Sequence, residues 1–139
     1  AENSNTTRHA AEFWQIEPEV AFAELPDIIE IATEFIKYII NDILHTCKEE
    51  LAFLEKFYEK GLREKLQKVV DDEFVQVEYT QAIEILKNSG KEFQYPVEWG
   101  RDLQTEHERY LTDVVYNKPV FVVNYPKDIK SCYRKQNPD

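Results

Sequence analysis

Methionine is absent from the 139 residues, and glycine occurs only three times. The missing Met implies that the chain does not begin at a start codon, so it is expected to be an internal piece of something longer. Glycine near 7% is usual, so glycine-rich loops, if the parent protein has them, are expected outside this stretch. There are two cysteines, Cys47 and Cys132, and no CxxC pair. That excludes a disulfide framework and fits a reduced, cytoplasmic compartment. Three histidines, His9, His45 and His107, lie scattered with no second His or Cys at ligand spacing, which argues against a zinc site. No run of about 18 apolar residues exists, so no membrane-spanning helix is expected. The N-terminal AENSNTTRHA is polar and does not read as a signal peptide. Cations are outnumbered, 17 Lys and Arg against 27 Asp and Glu for a net charge of −10. A broad electrostatic footprint for nucleic acid needs the opposite sign.

What is present is a globular composition, with 42% hydrophobic and 13% aromatic residues, enough to exclude disorder. Residues 1–11 read as a polar loop. In residues 12–22, EFWQIEPEVAF, Trp14, Ile16, Pro18, Val20 and Phe22 alternate with Phe13, Gln15, Glu17, Glu19 and Ala21. Period two predicts a strand with the first set in a core, and Pro18 belongs at an edge, bulge or end. Residues 26–45 predict a helix opened by Pro26. Its broad stripe of Ile28, Ala32, Phe35, Ile39 and Ile43 implies burial against a sheet or another helix. Residues 48–70 predict charged helix broken at Gly61. Residues 74–79 alternate as a strand. Thr80 is placed to cap a short helix through Leu86 that stops near Gly90. Residues 91–101 read as loop, 103–116 as helix, 119–125 as a buried strand and 129–134 as one further strand. Mixed elements without a βαβ rhythm favour α+β.

Two readings of the strand at 12–22 stand side by side. Its non-core face, carrying Phe13, Gln15 and Glu17, is either a solvated sheet surface or the floor of a ligand site. Phe13 and Glu17 would lie about 13 Å apart in extended chain, the span of a molecule with a flat ring at one end and a polar head at the other. Phe13 can stack a base, and Glu17 can accept hydrogen bonds from an amine or amide. Arg8 beside His9 suits phosphate, or forms a plain surface pair. A hairpin would bring Glu2 to the same mouth. Glu106, His107, Glu108 and Arg109 read as packing or surface pairing, and Lys127 and Lys130 as solvated.

These strings also carry a resemblance. AENSNTTRHAAEFWQIEPEVAFAEL resembles motif 2 of the class II aminoacyl-tRNA synthetases in the aspartyl/asparaginyl subgroup. WGRDLQTEHERYL and KPVFVVNYPKDIKSCY resemble the segments that follow in the asparaginyl branch. The match covers nearly the whole chain, with 46–72 least distinctive. It implies an α+β fold, a partial class II catalytic core with an antiparallel sheet and flanking helices. Residues 1–139 would then be one fragment running from motif 2 to before motif 3, without an anticodon-binding domain. The implied activity is an ATP-dependent ligase that forms an asparaginyl adenylate and passes it to tRNA(Asn), working in the cytoplasm as a homodimer. An aspartyl enzyme, or a catalytically inactive interaction fragment or paralogue, is the alternative.

Carried across, Glu2 matches the glutamate near the adenine amino group. Arg8 and His9 match the far end of the motif-2 loop, the catalytic contacts to the outer ATP phosphates. Phe13 matches the adenine-stacking aromatic, and Glu17 the acid that reads the substrate side chain. Gln15 stands where the family has Met, on the same substrate-facing side. Tyr133 matches a tyrosine near the amino-acid pocket, with Cys132 and Arg134 replacing the usual Phe and Met. Asn3, Ser4, Asn5 and Thr6 match the loop that approaches the acceptor end of tRNA. The phosphate-holding arginine of motif 2 would precede Ala1, and the acidic ligands for Mg2+ would follow Asp139, so ATP and Mg2+ are the implied cofactors and this chain supplies no metal ligand.

Overall fold

Chain order explains the architecture of this computed structural model, which describes residues 10–131 and 135–137. Helix α1 (Leu25–Thr46) opens with Pro26 in its first turn. The Glu24 backbone N–H donates to Asp27 Oδ2 at 2.8 Å and closes that end. Cys47 separates it from α2 (Lys48–Phe57), and Gly61 separates α2 from α3 (Leu62–Asp71). Gly61 adopts the left-handed region at φ +79°, where an L side chain is strained. The three helices pack on one another. Lys37 on α1 reaches the end of α3, donating to Asp72 O at 2.5 Å.

A second unit follows. Strand β1 (Val75–Glu78) runs straight into α4 (Tyr79–Asn88), with Glu78 at its N-cap. A loop leads to α5 (Thr105–Arg109), which continues as a π-helix (Tyr110–Val115) and reaches β2 (Val120–Val123). β1 and β2 pair in parallel, Val75 opposite Val120 and Glu78 opposite Val123. The core lies between this pair and α4. Val77, Ala82, Leu86 and Leu111 cluster there, with Ile85, Phe93, Val97 and Leu103 packed around them. Lys68 on α3 donates to Asn117 O at 2.7 Å and ties the two units.

Several expectations are corrected. The sheet among the described residues is parallel, not antiparallel. The two strands are joined by α4, α5 and the π-helix, and a helical crossover returns the chain in the same direction. Residues 12–22 form no strand: no ladder runs beside them, and residues 21–22 make a turn. Their intended core face is open, with Trp14 93% and Ile16 73% exposed. Alternation marks a strand, but a ladder needs a neighbour, and among the described residues no strand lies alongside this segment. The α1 stripe is only half covered. Ala32, Ile40, Ile43 and Leu44 are partly buried, while Ile28, Phe35 and Ile39 stay exposed. Thr80 caps nothing; its hydroxyl accepts the Trp99 Nε1–H at 3.0 Å. The helix at 103–116 divides at Tyr110, where the ladder widens until the Tyr116 N–H reaches Leu111 O at 3.0 Å. Residues 127–129 form a 3-10 turn rather than the start of a strand.

Candidate functional site

Of the residues assigned to a ligand site, Glu2, Asn3, Ser4, Asn5, Thr6, Arg8, His9 and Tyr133 lie outside the described residues, as does Cys132. Phe13, Gln15 and Glu17 are described, and all three are exposed, Phe13 by 58%. No hydrogen bond, ion pair or ring contact ties any of them to another described residue. They share a segment without gathering into a pocket. Phe22 closes that segment with φ 62°, a left-handed conformation uncommon for an aromatic residue, and redirects the chain into Glu24 and α1.

A cleft among the described residues lies elsewhere. A shallow, open space of about 500 Å³ lies between the 91–95 loop and the α5–π-helix segment, lined by Lys91, Tyr95, Glu106, Arg109, Tyr110 and Asp113. Its framework comes from the acidic and imidazole groups of α5. The Glu106 carboxylate accepts the backbone N–H of Tyr95 at 2.7 Å and of Gln94 at 3.0 Å. The first of these bonds, reinforced by the second and by the nearby Lys91 ammonium, holds its carboxyl below the usual glutamate value against an opposing desolvation effect. His107 is 1% exposed. Its Nδ1 accepts the Gln104 N–H at 3.0 Å, which leaves the proton on Nε2, 3.0 Å from Tyr95 O. Both side chains are spent on backbone groups, so this cluster fastens the 94–95 loop and has no free acid or base for chemistry.

A second cluster closes the carboxyl ends of the parallel strands. Tyr79 is fully buried; its hydroxyl donates to Arg101 O at 2.6 Å and accepts the Gly100 N–H at 3.0 Å. Its ring lies 5.0 Å from that of Tyr125. Lys130 stands over Tyr125 at 4.1 Å and pairs with Asp102 at 2.9 Å. Lys130 is therefore not the solvated residue expected, whereas Lys127 is exposed. Period-two alternation in residues 74–79 points Val75, Val77 and Tyr79 to one face and makes Tyr79 legible as a core residue. The Asp102–Lys130 pair, 28 residues apart in sequence, leaves no comparable local signal.

Among the described residues no group of three or more His, Cys, Asp or Glu is placed to hold a metal ion. Cys47 is a free thiol. No helix among them is long and apolar enough to cross a membrane.

Comparison with known proteins accounts for the pattern. The family model described as tRNA synthetases class II (D, K and N) matches residues 1–139. An asparagine–tRNA ligase of Clostridium novyi (strain NT) is 60% identical over 139 residues, all of this chain and 30% of the relative. The enzymes of that name from Clostridium perfringens (strain 13 / Type A) and Alkaliphilus metalliredigens (strain QYMF) are 59% and 57% identical over the same span, again 30% of each relative. The chain thus spans about a third of the length of these relatives, and it belongs to the class II tRNA synthetases of the D, K and N group.

Proposed function

We propose that residues 1–139 are part of the catalytic domain of an enzyme that activates asparagine with ATP and transfers it to tRNA(Asn). The observation that carries this reading is identity near 60% along the whole chain with proteins named asparagine–tRNA ligase. In the first step the asparagine carboxylate attacks the ATP α-phosphate and pyrophosphate leaves. In the second the terminal ribose of tRNA takes the aminoacyl group. Phe13 stacks the adenine, and Glu2 accepts from its amino group. Arg8 and His9 neutralise the outer phosphates. Glu17 accepts the side-chain amide N–H groups of asparagine, whereas the carboxylate of aspartate would face like charge there. Gln15 and Tyr133 line the same pocket, and residues 3–6 meet the acceptor end of tRNA through hydrogen bonds. The first step needs positioning and charge neutralisation rather than a protein nucleophile. Mg2+ bound with ATP would supply further charge neutralisation at the phosphates; among the described residues no group of acids is placed to hold it. The enzyme acts as a homodimer in the cytoplasm.

The test is amino-acid-dependent ATP–pyrophosphate exchange by the longer protein that contains this chain. Exchange is expected with asparagine and at most weakly with aspartate. Faster exchange with aspartate overturns the assignment. Residues 1–139 alone are expected to give no exchange.

A further inference from the structure

Helix α2 ends in three open aromatic rings. Phe53 and Phe57 stand one turn apart on the same face, their ring centres 4.8 Å apart, and the Tyr58 ring lies 6.1 Å from that of Phe53. All three are exposed, Phe57 by 61% and Tyr58 by 77%. Such a pair on a solvated face adds little to a helix. The rings also close no core, because the buried residue of α2 is Leu51.

The charge around these rings runs against that of the chain. Residues 55–65 hold four cations and three acids, against −10 for the whole sequence. Two of those acids are already neutralised: Glu55 accepts from Arg63 Nε at 2.6 Å, and Glu59 pairs with Lys65. Lys56 and Lys60 make no ion pair among the described residues. Lys56 holds its Nζ 5.1 Å from the centre of the Phe57 ring. Lys60 lies exposed in the turn between Tyr58 and Gly61. Open rings beside unpaired cations form the kind of platform on which single-stranded nucleic acid settles, bases on the rings and phosphates on the cations. A protein partner would cover the rings without needing the two lysines, so the charge favours a polyanion.

We infer that the face formed by Phe53, Phe57 and Tyr58, with Lys56 and Lys60, is a contact site for unpaired nucleotides of tRNA. The inference rests on the function proposed above, which brings tRNA to this chain, and it adds a second surface to residues 3–6. A local excess of cations suffices here, because stacking carries part of the affinity.

The experiment is filter binding of tRNA(Asn) to the longer protein at several salt concentrations. Asparagine-dependent ATP–pyrophosphate exchange without tRNA is measured beside it. Phe57→Ala is expected to raise the Kd for tRNA about tenfold while leaving exchange within about twofold. Phe57→Trp keeps a stacking face and is expected to hold Kd within about threefold of wild type. The double variant Lys56→Ala/Lys60→Ala is expected to flatten the slope of log affinity against log salt by about 1.4, the share of two phosphate contacts on a single strand. If Phe57→Ala does not fold, Tyr58→Ala, at a more exposed position, carries the comparison. An unchanged Kd in the aromatic variant, or an unchanged salt slope in the lysine pair, overturns the inference; the face is then covered by protein instead. A loss of exchange equal to the loss of tRNA binding overturns it as well, since that marks a general structural effect. A wild-type protein without asparagine-dependent exchange defeats the functional reading itself, and this inference with it. An active wild type with indifferent variants defeats the inference alone.

Discussion

Glu106 shows how much one carboxylate does in this chain. Its two oxygens accept successive backbone N–H groups, which stabilise the charged form and lower its pKa. A carboxyl whose folded value lies below its unfolded value contributes stability above the unfolded value. That contribution fades as pH falls through the folded one. The amides of Gln94 and Tyr95 are therefore expected to stay protected from hydrogen exchange at neutral pH and to lose protection below the ordinary glutamate range. Glu106→Gln should abolish that pH dependence. Retention of the same profile in the variant contradicts the assignment. The role was only partly legible beforehand. The Glu–His–Glu–Arg run on α5 reads as packing, but its target, the backbone at 94–95, lies across a loop that periodicity does not describe. Phe13, Gln15 and Glu17 were legible as a spaced set, because alternation is a local property. The surroundings of such a set are not local, and these three side chains make no hydrogen bond, ion pair or ring contact with a described residue.

Elements fared according to how far their stability is set nearby. Helix α1, the break at Gly61, β1 and β2 follow from periodicity and punctuation within a few residues. Gly61 takes φ +79°, and no atom lies within 4 Å of where its Cβ would stand. The cost of a side chain there is conformational strain without a clash. Gly61→Ala is expected to destabilise the α2–α3 hairpin by about 1 kcal/mol, and Gly61→Asn by less, since Asn tolerates this region. Urea unfolding followed by circular dichroism measures both; a neutral Gly61→Ala contradicts the account. The direction of the sheet and the strand at 12–22 were misjudged for a common reason. Strand pairing is decided by partners remote in sequence, and apolar alternation is silent about which partner arrives or which way it runs. The π-helix at Tyr110–Val115 is a finer case: the pattern of residues 103–116 reads as ordinary helix, while the ladder widens to a five-residue step between Leu111 and Tyr116.

Over the whole molecule the apolar surface is unevenly covered. β1, β2, α4 and the π-helix enclose a core, whereas α1 has no buried residue and leaves Ile28, Phe35 and Ile39 open, as are Trp14 and Phe22 on the preceding segment. Monomeric proteins rarely leave large contiguous apolar patches bare. Residues 1–139 in isolation are expected to self-associate at micromolar concentration and to bind a hydrophobic dye. Sedimentation at several concentrations tests this, and a concentration-independent monomer contradicts it. The relatives extend well beyond the span of this chain.

The most direct measurement is a crystal structure of the longer protein with a non-hydrolysable asparaginyl-adenylate analogue. The purine is expected to stack on the Phe13 ring and the side-chain amide to donate to the Glu17 carboxylate, both from one face of the segment 12–22. An analogue bound away from that segment, or Phe13 and Glu17 on opposite faces of it, would contradict the account.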